Sequence, residues 1–134
     1  MIKINNLTSR KINENFLKKV AKIVLKGENR EKENISVVLI GPKKIKELNN
    51  KYRKKNKPTD VLSFAEGLNE ILICPSEVLK NAKEFGNSFK KEMGKILIHG
   101  ILHLFGYDHE ISEKEAERMR NKEEYYLSRL RIFK

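Results

Sequence analysis

All three histidines of this 134-residue chain fall in one stretch, HGILHLFGYDH (99–109). A neutral imidazole is both a base near physiological pH and a common metal ligand. Confining every one of them to the most apolar part of a lysine-rich chain is therefore the feature with chemical content. His99 and His103 are four residues apart. On an α-helix that spacing puts them about 40° apart around the axis and roughly 6 Å along it, so both rings leave the same side. The surrounding residues, ILIHGILHLF (96–105), are otherwise apolar on nearly every side, which marks a buried helix. Two unpartnered imidazoles in a core are costly, and one metal ion satisfies both lone pairs at once. Gly106 can adopt the left-handed conformation that closes a helix, and the turn beyond it can bring His109 round as a third ligand.

Three nitrogen ligands without cysteine suit one Zn²⁺ ion with a fourth position left for water. Nickel or another divalent ion that accepts imidazole is the alternative. A closed, structural site would have to recruit Asp108 or Glu110. Asp108 is better placed to orient a ligand ring or to transfer a proton. The competing reading, histidines satisfied one by one in core or surface, needs a separate partner for each ring. In the metalloprotease helix H-E-x-x-H the glutamate is the general base. Here Gly100 occupies that position, so a peptidase of this type would lack its base, and the glycine leaves room beside an ion or lets the helix pack closely. The lone cysteine, Cys74, ends an apolar stretch with no histidine nearby and reads as a small buried thiol.

The elements that position these residues follow from periodicity and punctuation. IKIN (2–5) reads as a strand, and Ile12, Phe16, Val20, Ile23 and Val24 recur at helical spacing from Ser9 to Lys26, with Gly27 as the stop. ISVVLIG (35–41) is apolar throughout, as in a central strand covered on both faces. Pro42 suits the first turn of the next helix, where Ile45, Leu48 and Tyr52 form one stripe. After KPTD (57–60), VLSFA (61–65) and EILIC (70–74) read as an antiparallel hairpin turning near Gly67. PSEVLKNAKEFG (75–86) is a helix with Ser76 as N-cap and Gly86 as its end. The histidine helix runs from about Ser88 to Phe105. A last helix opens on Ser112 and Glu115 and turns Ala116, Met119, Leu127 and Leu130 inward. Strands and helices are mixed without strict alternation, so the expected class is α+β, a small mixed sheet packed with helices.

Apolar residues at 39% against charged residues at 35% describe a globular chain with a heavily solvated surface, and one domain over 1–134 is the simplest organisation. The longest apolar stretch has two histidines in ten residues, too short for a membrane span. The N-terminus carries no apolar signal core, and the lone cysteine fits a reducing compartment, so the cytoplasm is expected. Net charge is +11. That excess suits a polyanion through counterion release, and it equally follows from a lysine-rich composition. It is most concentrated in KYRKKNK (51–57). For Lys51, Lys54, Lys55 and Lys57 the simple reading is a solvated helix end, where cations are favoured. Tyr52 and Tyr107 could stack on nucleic-acid bases, although Tyr52 shares the Ile45/Leu48 stripe and so is expected in the core.

HGILHLFGYDHE (99–110) and YRKKNKPTDVLSF (52–64) resemble the motifs of the YbeY endoribonucleases, and the order of elements agrees along the whole chain. The resemblance implies a zincin-like α+β fold, a metal held by His99, His103 and His109, and a functional arginine at Arg53. It also implies single-stranded RNA as substrate, small-subunit ribosomal RNA 3′-end maturation and ribosome quality control. Lys51, Lys54, Lys55 and Lys57 become candidate RNA contacts, and neither DNA nor membrane is an expected partner. Ala65 stands where the family usually has proline, and NEI (69–71) where it usually has G-D-I, so the hairpin rim departs from the pattern. The reaction expected is metal-assisted phosphodiester hydrolysis, with water or the RNA 2′-hydroxyl as attacker and Asp108 or Glu110 as proton acceptor. The alternatives are a non-catalytic ribosome-assembly factor with a structural metal and a metallopeptidase.

Overall fold

The apolar run at 35–41 becomes strand β2 (Ile35–Leu39), second in a four-stranded sheet. The computed structural model describes residues 1–67 and 69–130; Leu68, in the expected hairpin loop, and residues 131–134 lie outside the description. β1 (Ile2–Asn6) pairs parallel with one edge of β2, and β4 (Glu70–Ile73) pairs parallel with the other. β3 (Val61–Phe64) closes the row antiparallel to β4, with Leu62 opposite Leu72, which gives the order β1-β2-β4-β3. The expected mixed sheet and hairpin are both present.

Helix α1 (Glu14–Gly27) crosses between the two parallel strands. It buries Leu17, Val20, Ala21 and Val24 completely. It starts later than Ser9 because the Asn6 side chain gathers the preceding residues into a turn, accepting from Thr8 N–H and donating to Arg10 O. Asn13 Oδ1 then caps Phe16 N–H at 3.0 Å. The helix ends at Gly27, as expected, but Gly27 does not supply the left-handed turn. Asn29, at φ 57°, takes the left-handed position, with Asn29 N–H bonded to Lys26 O and Arg30 N–H to Leu25 O. Gly27 is needed for another reason: a methyl group there would collide with the ring of Tyr126.

Helix α2 (Pro42–Arg53) lies against the other sheet face, where Ile45 joins Ile40, Leu62, Leu72 and Cys74 in a small second core. The expected full coverage of β2 is not met: Ser36 and Val38 stay half-exposed, because one short helix cannot cover that face. α3 (Pro75–Phe85) is capped by the Cys74 backbone, not by Ser76. Pro75 already occupies the first helical position, which places Ser76 inside the helix. Cys74 is fully buried, as expected, with Sγ 3.3 Å from Ser76 Oγ.

Helix α4 (Phe89–Leu104) is the centre of the main core. Ser88 Oγ caps Lys91 N–H at 3.0 Å. Leu97, Ile98, Ile101 and Leu102 are wholly buried, each contributing roughly 1.5–3 kcal/mol of burial. α5 (Glu113–Arg129), capped by Ser112 Oγ on Glu115 N–H, lies over α4. It turns Met119 and Tyr126 inward, followed by Leu130 just past its end, while Ala116 and Leu127 are only half-buried. Among the described residues, no helix is long and apolar enough to cross a membrane.

The Gly27–Tyr126 approach predicts an overpacking defect. Gly27→Ala should lower stability by ~1–3 kcal/mol in urea unfolding, and a wild-type midpoint would show that the ring can move aside freely.

Candidate metal centre

The C-terminal half of α4 carries His99 and His103 out of the main core at the edge beside β3. Helix closure then places the third imidazole. Gly106 sits at φ 94°, Gly106 N–H bonds His103 O, and Tyr107 N–H bonds Leu102 O. That pairing reverses the chain at once and buries the residue after the glycine against the last turn. Tyr107 is accordingly 6% exposed, its hydroxyl donating to Glu28 Oε1 at 2.7 Å. It cannot stack on RNA. Asp108 Oδ1 accepts from Glu110 N–H at 2.9 Å, which tightens the following turn.

The three rings converge. Centroids are 4.6 Å apart for His99–His103, 5.2 Å for His99–His109 and 5.3 Å for His103–His109. One nitrogen from each lies within 4.8 Å of the other two, so the trio could hold a metal ion. The donor chemistry fits. His103 has its pKa pushed down, first by burial and then by charge on His99 and His109. Its imidazole therefore stays neutral, with a lone pair to give. Among the described residues, no carboxylate or thiol joins this group as a fourth converging ligand.

The centre forms one wall of an open groove of about 620 Å³, faced by β3 and the end of α2. Arg53 lines it, with its guanidinium 3.6 Å from Glu110 Oε1, which is itself 4.0 Å from His109 Nε2. Tyr52 also lines it. The expectation of a core tyrosine fails, since Tyr52 is 56% exposed and meets Phe64 in a T-shaped contact, centroids 5.2 Å apart. The hairpin residues Ser63, Phe64 and Ala65 complete the rim. Lys51, Lys54, Lys55 and Lys57 are exposed on the end of α2 and the loop after it, outside the groove lining. That loop is held by Asn49, buried at 1% exposure, whose Nδ2 donates to Lys57 O at 2.9 Å.

Gly100 serves helix packing. A Cβ there would meet Ile71 Cγ2 at 3.0 Å and both Ser63 Oγ and Val61 Cγ2 at 3.3 Å, and Ser63 Oγ donates to Gly100 O at 3.0 Å. A glutamate in that position would be driven into the sheet, which removes the geometric basis for a metallopeptidase base.

Two carboxylates matter that sequence reasoning missed. Glu123 Oε1 lies 2.6 Å from His99 Nδ1, the place expected for Asp108. Its signal was a glutamate on the inward stripe of α5, between Met119 and Tyr126. Glu28, just past α1, accepts from Tyr107 and from Tyr126 and lies 3.4 Å from Lys122 Nζ. Burial works against its charge, but the Tyr126 and Tyr107 hydroxyls and Lys122 prevail, so its pKa is lowered. Burial and the Glu28 charge raise both tyrosines. Nothing in the sequence pairs residue 28 with residues 107 and 126.

A family model described as Endoribonuclease YbeY matches residues 3–131 of this chain. A protein of Thermodesulfovibrio yellowstonii named Endoribonuclease YbeY is 47% identical over 123 residues, covering 85% of this chain and 76% of its own. The Petrotoga mobilis protein of the same name is 43% identical over 133 residues, covering 95% and 92%. That of Aquifex aeolicus is 37% identical over 132 residues, covering 92% and 88%. Among solved structures, a solution structure of a Thermotoga maritima protein superposes with a TM-score of 0.70 at 36% identity, covering 97% of this chain and 89% of that one.

The Glu28 cluster predicts a pH-dependent contribution to stability. A carboxyl whose folded pKa lies below its ordinary 4.5 stabilises the fold above that value and loses the contribution as pH falls through the folded pKa. Glu28→Gln should cost ~1–3 kcal/mol at neutral pH. The gap from wild type should narrow on acidification in urea titrations at pH 7 and pH 4; a gap that widens in acid contradicts the assignment.

Proposed function

This chain belongs to the YbeY endoribonuclease family, and we propose that it is a metal-dependent endoribonuclease cutting single-stranded ribosomal RNA. Residues 1–134 act as one catalytic domain, with zinc as the ion and the cytoplasm as the compartment. The cellular role is small-subunit ribosomal RNA 3′-end maturation and ribosome quality control. The observation that carries the reading is the convergence of three imidazoles and one arginine on a single groove, in a chain whose relatives are named as endoribonucleases. The net charge of +11 suits the polyanionic substrate.

His99, His103 and His109 would hold the ion, which would supply Lewis acidity toward a phosphate oxygen and toward water. Arg53 meets the phosphodiester. Among the described residues its ionic partner is the exposed Glu110, a pair worth little in solvent, so a phosphate displaces it readily and takes the guanidinium bidentately. There the cation stabilises charge that develops as the P–O bond breaks. Displaced from Arg53, Glu110 is the freer proton acceptor, since the Asp108 carboxylate is already engaged by a backbone N–H. Tyr52 offers an exposed aromatic face beside Arg53, suited to a base that has left a duplex. Lys51, Lys54, Lys55 and Lys57 neutralise phosphates flanking the groove.

Metal analysis of the purified protein, beside cleavage assays on a structured and an unstructured RNA, tests the reading. Arg53→Ala should keep fold and ion while lowering cleavage by about 10²–10³-fold, and His103→Ala should lose both ion and cleavage. If chelation unfolds the chain and no preparation cuts RNA, the ion is structural and the assembly-factor reading replaces this one.

For the base contact, Tyr52→Ala should weaken binding to single-stranded RNA by ~1–3 kcal/mol in fluorescence anisotropy, while Tyr52→Phe keeps it. Equal affinity across the three proteins would remove Tyr52 from the substrate path.

A further inference from the structure

We infer that Glu123 is the positioning residue of the histidine centre, fixing the His99 ring through Nδ1 so that Nε2 is the nitrogen presented to the ion. The inference rests on the proposed role of His99 as a ligand. The contact is short, 2.6 Å, and poorly exposed on both sides, with 24% of the His99 side chain and 16% of the Glu123 side chain accessible. An ionised carboxylate can only accept, so the bond holds the proton on Nδ1 and leaves the lone pair on Nε2.

The framework makes this orientation a property of the fold. Glu123 stands on α5 between Met119 and Tyr126, each 1% exposed, and Tyr126 is anchored through its hydroxyl to Glu28. The carboxylate is thus carried by a helix whose rotation is set by the core. His99 in turn projects from α4, whose neighbouring residues Ile98 and Ile101 are wholly buried. Of the acidic residues near the rings, Asp108 bonds the Glu110 N–H and Glu110 pairs with Arg53, so among the described residues Glu123 is the one bonded to a ring nitrogen. A carboxylate in this relation raises the donor strength of the imidazole and removes its freedom to rotate before the ion arrives. α5 then does more than cover α4: it orders a ligand.

The test compares wild type with Glu123→Ala and Glu123→Gln. Zinc affinity is read by competition with a chromophoric chelator, and the His99 tautomer in metal-free protein by long-range ¹H–¹⁵N correlation spectra. Thermal melts report whether each variant folds. Wild type should show His99 protonated at Nδ1. Glu123→Ala should shift it toward Nε2–H and weaken zinc binding about 10–100-fold. Glu123→Gln, whose amide oxygen still accepts from Nδ1–H, should keep the tautomer and recover part of the affinity. If the alanine variant fails to fold, Glu123→Met fills the space without accepting and takes its place. Wild-type affinity together with an unchanged tautomer in the non-accepting variant would overturn the inference. If wild type itself takes up no zinc, the metal reading fails, while the spectra still decide whether Glu123 sets the ring.

Discussion

Burial of α4 is the constraint on which the rest of this molecule depends. Four residues of its second half, Leu97, Ile98, Ile101 and Leu102, are fully enclosed, and Gly100 lets the helix backbone settle against β3 and β4. A helix held on those sides cannot roll. His99 and His103 therefore emerge along one fixed line at the core's edge, and the apolar packing that would make lone imidazoles costly is also what keeps them aligned. The same helix completes the main hydrophobic core without help from the rings.

The turn after α4 and the end of α1 are built alike and joined. Both helices close with paired backbone bonds around a left-handed residue, Gly106 in one and Asn29 in the other. Each closure delivers a side chain to the same place: Tyr107 from the first, reaching the Glu28 that precedes Asn29 in the second. Tyr126 arrives from α5 over the bare face of Gly27. The resulting carboxylate cluster ties together the helix end that precedes His109 and the helix that carries Glu123. A polar network with all its members bonded adds rigidity where a loose turn would blur the geometry of the centre.

The groove opposes two kinds of surface. On one side are three imidazoles, among them His103, whose pKa is lowered by burial and by its two ring neighbours. On the other are Arg53 and the exposed Tyr52. Within one cleft the cation and the aromatic ring match two parts of a nucleotide chain that a protein can grip, phosphate and base, while the imidazole lone pairs suit a metal ion. The lysines beyond the rim extend positive potential outward without entering the cleft, an arrangement that steers a polyanion more than it selects one.

Much of this was legible in the chain itself, and what was legible is local. Four-residue spacing aligned His99 with His103, Ser88 and Ser112 capped their helices, Gly27 and Gly106 marked the ends of α1 and α4, and Ser76 misled because its neighbour Pro75 had the stronger claim to the helix start. Periodicity placed residues on faces, but a face does not name its partner. Only the tertiary structure decided that Tyr107 is buried and Tyr52 exposed, that Gly100 meets the sheet, and that Glu123 rather than Asp108 reaches His99. Those contacts join residues far apart in sequence, and they depend on how helices stack once the core has closed. Hydrophobic pattern specifies that helices must pack; their distance and rotation on packing settle which polar groups meet.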